Sequence, residues 1–535
     1  MKKTSRIILL MALICTLIIC GMMSASALDA KGKCGDNAVY TYDKSTGELI
    51  ISGTGAIYDY SEGSSPFDGS AIKSVTVKKG ITRVGTFAFK SCDKLTKATI
   101  TDTVKTIAES AFADCKNLES LKLPKNLEKI GYGVFKNCSK LKTVTLPDTL
   151  KSIGGSAFSG CTTLKSIIIP DSVTTINSSA FISCRGLETV EIGSGVTKIG
   201  TNSFGDCVNL KKIVVDKDNK NYVSEDGALL DKAKTKLIKY ASKSSYTEYV
   251  MPDSVVTIAE GAFAESTNLQ KITLSDNLEK IGIDAFFSCS ALKTINIPEK
   301  VVTLRLGIFD ECSALEEIKV AKNNKAYSAV NGVLYNKDKT TLIKYPEGKQ
   351  INAYAVPVTV TKIENEAFYN AKLQKVILEE TLVIIGENAF ESCDYLRSVT
   401  IPGSVKEIGS AAFMECANLK EVTIKPGVEQ IYSYAFADCK NLAEVEIGAG
   451  VKCIEEYAFK NCSKLTNVTF SGIKAQWDAI TIEEGNDCLT NASVKFADNC
   501  SCHKSGIMGA VYKMQLFFWR LFKLNEKCVC GVVHY

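Results

Sequence analysis

The chain has 535 residues, 45% of them apolar and 23% charged, which excludes a disordered chain and leaves either several globular domains or one long repeat domain. Its formal charge of +5 falls to +2 when residues 1–27 are set aside, with 61 Lys plus Arg against 59 Asp plus Glu. Bulk charge therefore gives no reason to expect a nucleic-acid partner.

Lys2, Lys3 and Arg6 precede the apolar run Ile7 to Met23, and Ala25-Ser26-Ala27 offers a small-residue cleavage site. Residues 1–27 thus read as a secretory signal peptide. An uncleaved anchor is the rival reading, with the run at the short end of a spanning helix. Lipoprotein processing at Cys20 is disfavoured by the bulk of Ile19. Residues 28–71 carry AVYTY, DKSTG and ELIISG, two alternating strands around a turn, expected to form an N-terminal β-hairpin that caps the rest of the chain.

From residue 72 to 470 the chain repeats itself. Phe89, Phe112, Phe135, Phe158, Phe181 and Phe204 stand 23 residues apart, the signature of a solenoid. Counting from Phe158, the apolar positions Cys161, Leu164, Ile167, Ile169, Val173 and Ile176 should point inward. Phe and Cys are expected on one helical turn, and Ile167 and Ile169 on a short strand that Pro170 ends. One coil cannot bury its own apolar row, but stacked coils bury each other's.

Two segments, 216–251 and 321–356, interrupt the period with matching sequences, GALLDKAKTKLIKY and GVLYNKDKTTLIKY. Each is expected to carry a β-hairpin turning at KAKT or KDKT. Eight tyrosines fall here: Tyr222, Tyr240, Tyr246, Tyr249, Tyr327, Tyr335, Tyr345 and Tyr354. Hairpin packing is the favoured reading over an aromatic recognition surface. Fourteen Phe-marked coils and two hairpin coils give an α/β-type solenoid of about sixteen coils, monomeric by expectation.

Twelve cysteines occupy the third position after the Phe: Cys92, Cys115, Cys138, Cys161, Cys184, Cys207, Cys289, Cys312, Cys393, Cys416, Cys439 and Cys462. Equivalent side chains in a stack run parallel, leaving β-carbons about 4.8 Å apart, beyond the usual disulfide separation. The same slot holds Ser266 and Ala371 in two coils, so it asks for a small buried group. Free thiols and an oxygen-poor setting are expected.

Residues 471–497, with Trp477, break the period and are expected to close the array. The tail, 498–535, changes composition. Cys500, Cys502 and His503 face Cys528, Cys530 and His534 across an aromatic segment, and these six could ligate zinc, close two disulfides, or do neither. No other cofactor is expected. Residues 511–524 are apolar with Lys513, Arg520 and Lys523 interspersed, which suits an interfacial helix and attachment to an envelope or membrane surface.

The consensus LxxIxIPxxVxxIgxxAFxxCxxL, in fourteen copies from Ile72 to about Phe470, resembles the BspA-type leucine-rich repeat of bacterial and some protozoan surface proteins. The LIKY-ended variant coil and the Trp477 cap resemble elements of the same family. The resemblance implies a right-handed superhelical solenoid at the cell surface, used for adhesion or for binding host or matrix proteins. It carries over no catalytic residue, and the sequence holds no nucleophile elbow, HExxH, P-loop or dinucleotide fingerprint. The chain therefore reads as a non-enzymatic, secreted or surface-bound module for an unknown protein or matrix ligand, with an envelope spacer as the alternative. Two outward columns of the strand face, beginning at Lys97 and Thr99, contain no aromatic residue, which argues weakly against tight glycan binding.

Overall fold

A computed structural model describes residues 28–305 and 307–497. They form two compact units, residues 28–245 with 259–264 and residues 246–258 with 265–497. Segment 1–27 and the tail 498–535, with Cys500, Cys502, His503, Cys528, Cys530 and His534, lie outside the described residues.

In the first unit each coil contributes to two parallel ladders. The strands Glu48–Ala56, Ser74–Val77, Lys97–Ile100 and Ser120–Lys122 pair side by side, as do Ser166–Ile169, Thr189–Ile192 and Lys212–Val215 further on. Their register is the repeat itself, with Ile167 beside Val190 and Ile169 beside Ile192. Two-residue strands such as Lys129–Ile130, Ser152–Ile153 and Thr175–Ile176 make the second ladder. Strand Glu48–Ala56 serves both, pairing with Ser74–Val77 and with Ile81–Val84. Pro170 comes directly after Ser166–Ile169, ending the strand where proline lacks a donor.

The third side of the coil is not the expected helical turn. Ser156 (φ 52°) and Gly160 (φ 72°) flank Phe158 in the left-handed region. With left-handed residues four positions apart, every second N–H faces the next coil: Ser156, Phe158 and Gly160 donate to the carbonyls of Ser178, Ala180 and Ile182 at 3.1, 2.8 and 2.9 Å. A helix would spend those donors within one coil; here they join neighbours, and the ladder holds a conformation that an isolated chain avoids.

The Phe rings stack along the unit. Phe67, Phe89, Phe112, Phe135, Phe158, Phe181 and Phe204 form one column with centroids 5.0–5.8 Å apart, and Tyr40 closes the end edge-on against Phe67 at 5.1 Å. All seven rings are buried.

The second unit repeats this plan. Ser398–Ile401, Glu421–Ile424, Glu444–Ile447 and Asn467–Phe470 form the wide ladder, while Glu407–Ile408, Gln430–Ile431 and Cys453–Ile454 form the narrow one. Phe368, Phe390, Phe413, Phe436 and Phe459 stack at 4.6–5.3 Å. Segment 471–497 does not stop the ladders. Thr481–Ile482 pairs with Cys453–Ile454 and Ser493–Phe496 with Asn467–Phe470, so a longer coil with two one-turn helices continues both. The solenoid has about 19 turns against the sixteen expected, this coil and the one ending in Phe67 among the additions.

Each variant coil holds three antiparallel strands where a hairpin was expected. Tyr222–Glu225, Ala228–Asp231 and Lys236–Tyr240 form one set, and Tyr327–Val330, Val333–Asn336 and Thr341–Lys344 the other. The additional turn falls at Asp226-Gly227 (φ 46° and 85°) and at Asn331-Gly332 (φ 51° and 81°), the paired positive φ that a two-residue hairpin loop demands. The final tyrosine of each set takes the Phe position: Tyr240 stacks on Phe263 at 5.2 Å and Tyr345 on Phe368 at 5.1 Å.

Candidate functional site

The cysteine ladder is structural. Every described cysteine is unbridged, and the twelve of the ladder are buried. Each thiol does more than fill space, however. Cys161 Sγ donates to the carbonyl of Phe135, the Phe of the preceding coil, at 3.2 Å, and Cys115, Cys184, Cys416 and Cys439 repeat the contact at 3.0–3.2 Å. Burial pushes the thiols of Cys161, Cys207 and Cys393 up to about 12, so they stay protonated donors with almost no nucleophilic thiolate. Ser266 shows what the slot wants: it is fully buried and its shorter hydroxyl finds no partner.

Most hairpin tyrosines are packing residues too. Tyr240, Tyr249, Tyr335 and Tyr345 are buried, and only Tyr246 of the eight is exposed. Tyr222 and Tyr327 have a specific task. Their hydroxyls accept the N–H of Ile199 at 2.9 Å and of Leu304 at 2.7 Å, replacing the carbonyl that the next narrow strand would have offered. Buried Asn219 and Asn324 hold the same corner. Asn219 Nδ2 donates to the carbonyls of Gly193 and Val196, while its Oδ1 accepts from the N–H of Asn221 and Tyr222. Asn324 repeats all four bonds with Pro298, Val301, Ala326 and Tyr327.

What remains free is the outward side of the wide ladder. Lys97, Ser120, Ser166 and Lys212 are exposed in the first unit, and Glu421, Glu444 and Asn467 in the second, as the alternation required. Elsewhere on the surface, charges on successive coils neutralise each other: Lys165 and Lys211 hold Glu188 at 3.1 and 2.7 Å, and Lys406 and Lys452 hold Glu429. Glu421, Glu444 and Glu446 form an acidic cluster on the strand face without such a lysine. Glu421 lies beside Glu444 in the ladder, Glu446 is two residues further along the same strand, and no ion pair among the described residues takes any of the three. The second unit as a whole carries 33 acidic against 25 basic described residues, and the first 24 against 31.

A second exposed feature was not foreseen. Tyr434 and Tyr457 occupy the left-handed position two residues before the Phe (φ 60° each), where other coils use Ser110, Ser156, Asn202 or Asn388. Their rings stack at 5.2 Å, Lys460 lies over both at 5.7 and 5.0 Å, and Tyr457 donates to Glu484 at 3.3 Å. Aromatics in a column otherwise rich in Ser and Asn were the signal that could have found them.

Among the described residues no group of three or more His, Cys, Asp or Glu side chains is placed to hold a metal, and no helix is long and apolar enough to cross a membrane. The geometry defines a parallel solenoid whose repeated inward side chains serve the stack and whose outward strand residues face solvent, a few of them paired with one another. That is the leucine-rich repeat class.

The chain belongs to the BspA-type leucine-rich repeat family, whose model matches residues 61–165, 129–226, 238–359 and 361–479. It is similar to a leucine-rich repeat protein from Eubacterium ventriosum, at 26% identity over 87% of this chain and 94% of that one, with a TM-score of 0.43. A leucine-rich cell surface protein from Faecalibacterium prausnitzii is 26% identical over 84% of this chain and 97% of that one, with a TM-score of 0.44. The pneumococcal vaccine antigen PcpA matches at 16% identity over 86% of this chain and 99% of that one, with a TM-score of 0.30. No curated protein matches the chain.

Proposed function

We propose that this protein is an exported, non-catalytic binding module that acts at the cell surface in an adhesin-like role, and that the strand face of its second unit docks a basic patch on a protein partner. The observation that carries the reading is the unpaired trio Glu421, Glu444 and Glu446. Like charges side by side on neighbouring strands are destabilising, and at Glu188 and Glu429 the chain neutralises a carboxylate with lysine from the next coil. A cationic partner would supply the missing countercharge. The signal-type segment 1–27 and the family's surface proteins support export.

The test is a binding screen of purified protein against host and microbial surface and matrix proteins, with and without residues 498–535. The expected result is saturable binding that weakens with salt and is lost in the triple variant E421K/E444K/E446K, whose melting temperature does not fall. Binding that survives the charge reversal would refute the strand-face assignment. Absence of saturable binding to any surface would favour the envelope spacer, a reading that the polar strand face and the buried hairpin tyrosines also suit.

A further inference from the structure

The two variant coils share a backbone plan but not their charges. Both place the lysine of LIKY in the interior, where its Nζ donates to a carbonyl two residues before the next Phe: Lys239 to Gly261 at 2.9 Å and Lys344 to Glu366 at 3.1 Å. Around Lys344 the second unit adds three carboxyl groups. Asp310, Glu347 and Glu366 stand where the first unit has Gly205, Ser242 and Gly261.

Asp310 and Glu347 are enclosed and Glu366 is partly buried. Lys344 pairs with Asp310, their side chains 7% and 15% exposed, and Glu366 lies close enough to Asp310 for the two carboxyl groups to act on each other. Glu347 is 1% exposed. One of its oxygens accepts from Asn370 Nδ2 at 3.3 Å, while Oε1 has no partner. Beside the pair lies a cavity of about 20 Å³, lined by Asp310, Lys344, Asn365 and Glu366 among apolar residues and roomy enough for one water. In the first unit the corresponding serine, Ser242, is satisfied by the carbonyl of Ala264 at 3.2 Å.

The other charged and titratable groups facing the cluster do not relieve it. Glu391 adds negative charge toward Asp310 and is itself near Glu415, Glu311 faces Tyr369, and the Cys312 thiol lies near Glu347. Arg305 borders the cavity, but Lys344 is the cation that acts on both Glu347 and Glu366. A single lysine does not balance Asp310, Glu347 and Glu366 when all three are ionised in a largely buried cluster.

We propose that the second variant coil is a proton-operated latch: protonated Glu347 and Glu366 hold it closed around the Lys344–Asp310 pair, and their ionisation loosens it. Burial, reinforced by Asp310, pushes Glu347 up to about 7 and raises Glu366 as well. A carboxyl raised in the closed state holds a proton that the open state releases. Its stabilisation is therefore complete below the ordinary value of 4.5 and disappears as pH rises toward 7. The latch closes in mildly acidic surroundings and relaxes in mildly alkaline ones. In the first unit, Gly205, Ser242 and Gly261 supply no carboxyl at the three equivalent positions.

Amide hydrogen exchange on the intact chain tests this, with rates corrected for intrinsic pH dependence. Opening of segment 344–349 should increase on the order of tenfold between pH 5 and pH 8. Segment 239–244 should change little, and the variant E347Q/E366Q should flatten the response of 344–349 without altering the fold. Equal pH dependence in the two segments, or a dependence that survives in E347Q/E366Q, would overturn the proposal.

Discussion

Replacing Phe158 with Ala removes one ring from the middle of a stack. The ring is fully buried and lies 5.3 Å from both Phe135 and Phe181, inclined at 24° and 1°. A buried aromatic covers about 200 Å², worth about 5 kcal/mol at 25 cal/mol per Å². Measured truncations of buried Phe to Ala cost about 3–5 kcal/mol. Because two ring contacts are lost at once, and the coils on either side are fixed by their ladders, little collapse can refill the space, and the upper end, about 5 kcal/mol, is expected. A chain of this length does not unfold in one step, so the loss is best read locally, as amide protection of the strand Ser166–Ile169. Phe158→Leu, which keeps much of the volume and loses the stacking, should cost about 1–2 kcal/mol. A loss below about 1.5 kcal/mol for the alanine variant would mean that the rings do not bear on one another, and the stacking account of the coil would fail.

Three further outcomes are expected. Iodoacetamide labelling of native protein at pH 8, mapped by peptide mass, should mark Cys453 and Cys488, which are partly exposed, and leave Cys115, Cys138, Cys161 and Cys184 unmodified until the chain is unfolded. Rapid labelling of the latter four would contradict their burial. Asn219→Ala and Asn324→Ala should each destabilise their unit by about 2–4 kcal/mol in chemical denaturation, because each strands two buried carbonyls and two N–H groups; a change under about 1 kcal/mol would show that water replaces the side chain. Cys161→Ser should be more destabilising than Cys161→Ala in thermal melts, since the shorter hydroxyl is buried without reaching Phe135, as Ser266 shows. The reverse order would show that the slot satisfies a hydroxyl.

Much of this molecule is written along the chain because a repeat states its own tertiary contacts. Phe158 recurs at Phe181, so the ring that each must touch is already named 23 residues away. The same logic places Ile167 beside Val190, and it kept the thiols unbridged. Period alone could also have placed Tyr240 and Tyr345 in the Phe column, and Phe67, one residue out of step, stacks there too. Asp226-Gly227 and Asn331-Gly332 were legible as two-residue turns and account for the third strand of each variant coil.

Other features depended on how backbones meet across coils. Side-chain spacing around Phe158 suits a helical turn, yet the N–H groups of Ser156, Phe158 and Gly160 bond to the next coil, which only the stacked geometry decides. The thiol of Cys161 finds Phe135's carbonyl for the same reason: its acceptor is a backbone atom of a different coil, to which residue spacing gives no direction. The candidate sites divide in the same way. Alternation along the strand put Glu421, Glu444 and Glu446 outward, but that no lysine reaches them is a matter of side-chain reach between coils. Glu347 differs from Ser242 by one residue type in matching sequences, and it became a group under strain only because folding brought Asp310 and Glu366 around the same lysine and kept water out. The sequence determined which residues repeat, and hence the stack; the tertiary structure decided which polar groups were left unanswered, because hydrogen bonding and ionisation depend on distances between atoms that the repeat brings near but does not aim.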